Sequence, residues 1–106
     1  MPRFKIVLYR DGQRVVVSYG WSPLLGFFVA VIRGGRKEID YDIVTEGYDG
    51  LAGLLRSLVS TRIVPQDAVD RALELLPVVG DVQEIEDEDV RLVAAIVMRV
   101  KEAAGE

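Results

Sequence analysis

The stretch FKIVLYRDGQRVVVSY, residues 4–19, decides the fold. Phe4, Ile6 and Leu8 alternate with Lys5, Val7 and Tyr9, the two-residue period of a strand. Asp11-Gly12 then supplies a two-residue hairpin loop, because both corners of a type I′ turn need positive φ. Beyond the turn lies the β-branched run Val15-Val16-Val17. Counting outward from the loop sets Leu8 against Val15, Ile6 against Val17 and Phe4 against Tyr19. All six fall on one face, so turn and apolar pattern specify the same register.

Two further strands follow. Gly20-Trp21-Ser22-Pro23 breaks the second strand, which leaves strands over about 3–9 and 14–19. The third is expected over about 26–33. Gly34-Gly35 is another two-residue loop, and the fourth strand, about 36–45, alternates Ile39, Tyr41 and Ile43 with Glu38, Asp40 and Asp42. A regular hairpin at Gly34-Gly35 sets Phe28 against Tyr41 and Ala30 against Ile39. It puts Val31 and Val29 across from Glu38 and Asp40.

The second half changes period. Leu51, Leu54, Leu55 and Leu58 recur at helical spacing over about 50–60, with Asp49 as N-cap. Pro65 opens a helix over about 65–76 carrying Val69, Ala72, Leu73 and Leu76. A third helix runs over about 87–104, with Asp87, Glu88 and Asp89 at its start and Arg99 and Lys101 near its end, the order that suits the helix dipole. Its apolar positions, Val90, Leu92, Val93, Ile96, Val97 and Val100, span more than one core-facing stripe. Strands first and helices afterwards predict a single α+β domain over 1–106: a four-stranded antiparallel meander with three helices packed on it.

Composition narrows the chemistry. The 106 residues include no Cys and no His. That removes thiol catalysis, thiolate metal sites and the commonest general base and zinc ligand. Ser18, Ser22, Thr45, Ser57, Ser60 and Thr61 have no imidazole to activate them, and no Ser-x-x-Lys spacing occurs. The net charge of −4 disfavours direct binding to nucleic acid or anionic membrane. The start of the chain has no apolar core of signal type, and Trp21–Ile32 is too short to span a bilayer. The expectation is a soluble cytoplasmic protein without a cofactor.

Three kinds of site remain. Glu38, Asp40 and Asp42, two apart on a strand, would share one face at about 6.8 Å spacing. They are a solvated outer face, or alternatively the metal ligands of a phosphodiesterase or nuclease. Together with Asp87, Glu88 and Asp89 they form an acidic surface that could mimic nucleic-acid phosphates as an inhibitor. Gly47-Tyr48-Asp49-Gly50-Leu51-Ala52-Gly53 lacks the spacing and the Lys of a phosphate loop and reads as a turn. The third site is apolar surplus. With Phe4, Ile6, Leu8, Val15, Val17, Phe28, Ala30, Ile39 and Tyr41 under the helices, the other face keeps Val7, Tyr9, Val16, Phe27, Val29 and Val31. That face is covered either by the third helix or by a partner. Trp21 is an anchor for its loop or a contact hot spot.

Tyr19-Gly20-Trp21-Ser22-Pro23-Leu24, followed by Phe27-Phe28-Val29, resembles the start of small uncharacterised bacterial proteins. Those share a Tyr-Gly-aromatic step, a Pro-Leu pair, a Phe-Phe strand and a leucine-rich helix. The similarity covers about a third of the chain and implies no activity. The reading is a non-enzymatic protein-interaction or regulatory domain. It acts as a homodimer or complex subunit, with Val7, Val16, Trp21, Phe27, Val29 and Val31 as candidate contacts and no metal site.

Overall fold

The computed structural model describes residues 3–105. Four strands, β1 (Arg3–Arg10), β2 (Gln13–Ser22), β3 (Gly26–Arg33) and β4 (Arg36–Asp42), form one antiparallel sheet in the order β1-β2-β3-β4. The helices follow: a single turn α1 (Ile43–Glu46), then α2 (Leu51–Ser60), α3 (Gln66–Leu75) and α4 (Glu88–Ala103), with 3₁₀ turns at Tyr48–Gly50 and Val82–Glu84. The chain is an α+β fold, with the strands first.

The first hairpin has the expected register: Leu8 pairs with Val15, Ile6 with Val17 and Phe4 with Tyr19. Asp11 (φ 53°) and Gly12 (φ 77°) are both left-handed, as a type I′ turn requires. The second strand runs further than expected. Trp21 belongs to β2, not to a loop, and pairs with Phe27. Only Pro23, Leu24 and Leu25 connect β2 to β3. Gly26 closes this loop at φ 66°, where a Cβ would lie 2.5 Å from the Ile43 side chain.

That short connection fixes β3 against β2, with Val17 opposite Val31 and Tyr19 opposite Val29. Phe27, Val29 and Val31 therefore share the face of Val15, Val17 and Tyr19. A regular hairpin at Gly34-Gly35 would then turn Glu38 and Asp40 into the core, an uncompensated burial of charge. One extra residue avoids this. Ile32 pairs with Lys37 but Val31 pairs with Ile39, so Glu38 is a β-bulge and Ile39 and Tyr41 face inward. Lys37 and Asp40, three apart, consequently share a face with Nζ and Oδ2 at 3.8 Å.

The β2–β3 pairing corrects the expected faces of β3, and the bulge keeps Ile39 and Tyr41 of β4 on the core side. Phe27, Val29 and Val31 are fully buried under the helices, whereas Phe28 and Ala30, expected in the core, lie on the opposite face. β4 ends at Asp42, earlier than expected, because its carboxylate accepts from the Thr45 N–H at 2.7 Å and caps α1. Asp49 lies in a 3₁₀ turn and does not cap α2, whose start has no side-chain cap. Pro65 is the N-cap of α3, one position before its first residue.

α4 is the central helix. Asp87 accepts from the Asp89 and Val90 N–H groups at 2.9 and 3.1 Å. Packing against the sheet, α2 and α3 buries Val90, Leu92, Val93, Ala94, Ala95, Ile96, Val97 and Val100. The wide apolar surface of this helix is thus consumed within the chain. α3 rests chiefly on α4, and Leu73 of its expected stripe remains exposed. Two arginines tie the helices to the hairpin end of the sheet. Arg10 donates to the Ile63 carbonyl (2.9 Å) and to Asp89 (2.6 Å), and Arg33 donates to the Thr61 carbonyl (2.5 Å).

Candidate interaction surface

The helices cover one side of the sheet only. Every buried strand residue in the continuous core comes from the Val15, Val17 and Val31 side. Val16, although only 9% exposed, lies outside that core. It is shielded by its sheet neighbours Val7 and Ile32.

The pairings arrange the open face in rows. The first row runs Arg3, Gly20, Phe28, Asp42. The second runs Lys5, Ser18, Ala30, Asp40. The third runs Val7, Val16, Ile32, Lys37, and the fourth begins Tyr9, Arg14. An apolar band thus crosses the middle of the sheet, with Val7 43% and Tyr9 68% exposed. Arg3 and Lys5 sit on edge strand β1, whereas edge strand β4 presents Asp42 and Asp40, with Lys37 paired to Asp40. Gly20 leaves space for Arg3 to lie across to the Phe28 ring, with the guanidinium carbon 5.5 Å from its centroid. Among the described residues Arg3, Lys5 and Arg14 form no ion pair.

Of the six candidate contacts, Val7 and Val16 are on this face. Phe27, Val29 and Val31 belong to the core. Trp21 is half-buried on the core side, edge-on to Phe27 at 6.2 Å between centroids. The sequence reading missed Phe28, Ala30 and Ile32. The signal for them was the loop length between β2 and β3, which sets β3's inward residues independently of the Gly34-Gly35 turn.

The acidic candidates do not converge. Glu38 turns toward Arg33 (Oε1 to Nε, 3.5 Å), while Asp40 and Asp42 occupy the open face. The expected row of three carboxylates on one face is therefore broken by the bulge. A depression of about 430 Å³ between β4 and α2 is lined by Glu38, Asp40, Glu46, Asp49 and Arg56. Among the described residues no three acidic side chains are placed to hold a metal ion. Asp87 is spent on capping α4, Asp89 is paired with Arg10, and Glu88 borders a groove at β1. The two acidic groups thus lie toward opposite edges of the sheet.

That groove, about 610 Å³ between β1 and α4, is lined by Phe4, Ile6, Leu8 and Leu92, with Arg91 at its rim. Phe4 stacks on Tyr19 at 5.2 Å. Burial pushes the Tyr19 hydroxyl above its ordinary pKa, against a smaller lowering by Arg99. The Tyr41 pKa is also raised, by burial first and then by Glu46 and Asp42, and its hydroxyl donates to the Gly47 carbonyl at 2.8 Å. Both phenols are therefore held as neutral groups. Among the described residues no helix is long and apolar enough to cross a membrane. No family model, no curated protein and no solved structure matches this chain.

Proposed function

We propose that this chain is a non-enzymatic protein-interaction or regulatory domain, acting as a homodimer or as a subunit of a complex, with the open sheet face as its contact surface. The observation that carries this reading is the apolar band of Val7, Val16 and Ile32, flanked by Ala30 and Phe28, on a face that no helix covers. Antiparallel sheets with one wet face normally alternate to polar residues there. A contiguous apolar patch on such a face is characteristic of a contact surface. The inhibitor reading ranks lower because its two carboxylate groups lie apart. The metal-dependent reading ranks lower because Glu38 has left the row.

The test is photo-crosslinking in the native host, with a benzophenone amino acid replacing Tyr9 on the open face or Glu74 on α3. The reading predicts a discrete adduct, to itself or to another protein, from position 9 and none from position 74. No adduct from position 9, or equal smears from both, would refute it.

A further inference from the structure

We infer that the occupant of the open face is a second copy of this chain, docked face to face about a two-fold axis that runs parallel to the strands. The inference rests on the contact-surface reading above and adds the partner and its orientation. A two-fold along the strands lays β1 of one copy over β4 of the other and keeps each row in place. Arg3 then opposes Asp42, and Lys5 opposes Asp40, twice over by symmetry. The isologous contact is self-complementary. In the third row Val16 of one copy meets Ile32 of the other, and Val7 meets the Lys37 stem, whose ammonium is paired with Asp40. In the fourth, Arg14 faces Gly34, where there is no side chain to obstruct it. A two-fold across the strands instead stacks β1 on β1 and leaves the β1 cations without an anion.

Packed sheets are rotated by about 30° and lie about 10 Å apart. At the outer strands that rotation shifts positions by about 4 Å, a little over half the ~6.8 Å between successive outward residues. Arg3 and Lys5 then sit within one outward position of Asp42 and Asp40 of the other copy. The footprint of four strands at ~4.8 Å and seven residues at ~3.4 Å is roughly 450 Å². Against a standard of about 800 Å² per partner this is small, which predicts association in the micromolar range.

Light scattering on three purified proteins tests the inference: wild type, Arg3→Glu/Lys5→Glu, and Asp40→Lys/Asp42→Asn. Asn at 42 keeps the cap on α1. The wild type should double its mass on going from low to high micromolar concentration. Each variant alone should be at least about tenfold weaker, and an equimolar mixture should recover the dimer. If either double variant fails to melt cooperatively, Lys5→Glu and Asp40→Lys, both at exposed positions, make the same comparison. Variants that dimerise like wild type, or a mixture that stays monomeric, overturn the inference. A monomeric wild type overturns it too. With a discrete adduct to a different protein at position 9, the contact-surface reading survives that result; with no adduct, both fall.

Discussion

Phe27 and Phe28 are neighbours in sequence with opposite fates. Phe27 is fully buried, edge-on to both Tyr19 and Trp21. Phe28 is half-buried beneath Arg3 on the open face. Phe27→Ala removes a fully packed ring and should cost about 3–5 kcal/mol, enough to abolish a marginal fold. Phe28→Ala loses the Arg3 contact and partial burial, and in dilute protein should cost about 1 kcal/mol. Urea denaturation of the two variants reads the difference. Equal costs, or a larger cost at Phe28, would mean that the two faces of β3 are exchanged. Arg33 shows the same logic for a charge. It sits on the core side opposite Val15, yet its guanidinium reaches the Thr61 carbonyl and faces Glu38 at the sheet's end.

At the scale of elements, the register of the first hairpin was legible because its loop pairs two residues that accept the positive φ of a type I′ turn and its flanks alternate without interruption. The second hairpin has an equally clear loop, and still its register could not be taken from the loop alone. Gly34-Gly35 fixes only Arg33 opposite Arg36 and Ile32 opposite Lys37. Beyond that, the cost of burying Glu38 and Asp40 overrides regular pairing, and the chain accepts a bulge. The information lay in a third element, the Pro23–Leu25 connection, which sets β3 against β2. Deleting Glu38 should therefore restore regular pairing while keeping Ile39 and Tyr41 inward. The deletion variant is expected to fold, with its melting temperature lowered by several degrees through loss of the Arg33 partner. Circular dichroism and thermal melting check it; a variant without a cooperative transition would contradict the bulge. The central helix was legible too, through the Asp87 cap and the charge order along it, but not the source of its wide apolar surface. That breadth reflects burial by the sheet, α2 and α3 together.

For the molecule as a whole, the Cα extents of 36 × 32 × 23 Å describe a slab. The helices lie on one side of the sheet. The surplus of apolar residues was visible in the sequence, whereas its location was not. Of the residues that carry it, Val7 and Val16 were placed by the first hairpin, whereas Phe28, Ala30 and Ile32 required the pairing of β3 with β2. The charges are divided between the outer strands, Arg3 and Lys5 on β1 against Asp40 and Asp42 on β4, with Lys37 paired to Asp40, an arrangement suited to a copy of itself. The most direct test is methyl NMR with a soluble paramagnetic relaxation agent, at low micromolar and at millimolar protein. Val7 and Ile32 methyls should be strongly attenuated in dilute protein and protected in concentrated protein, while Val29 and Val31 remain silent in both. Attenuation of Val7 and Ile32 that is unchanged by concentration, or attenuation of Val29 and Val31, would contradict the account.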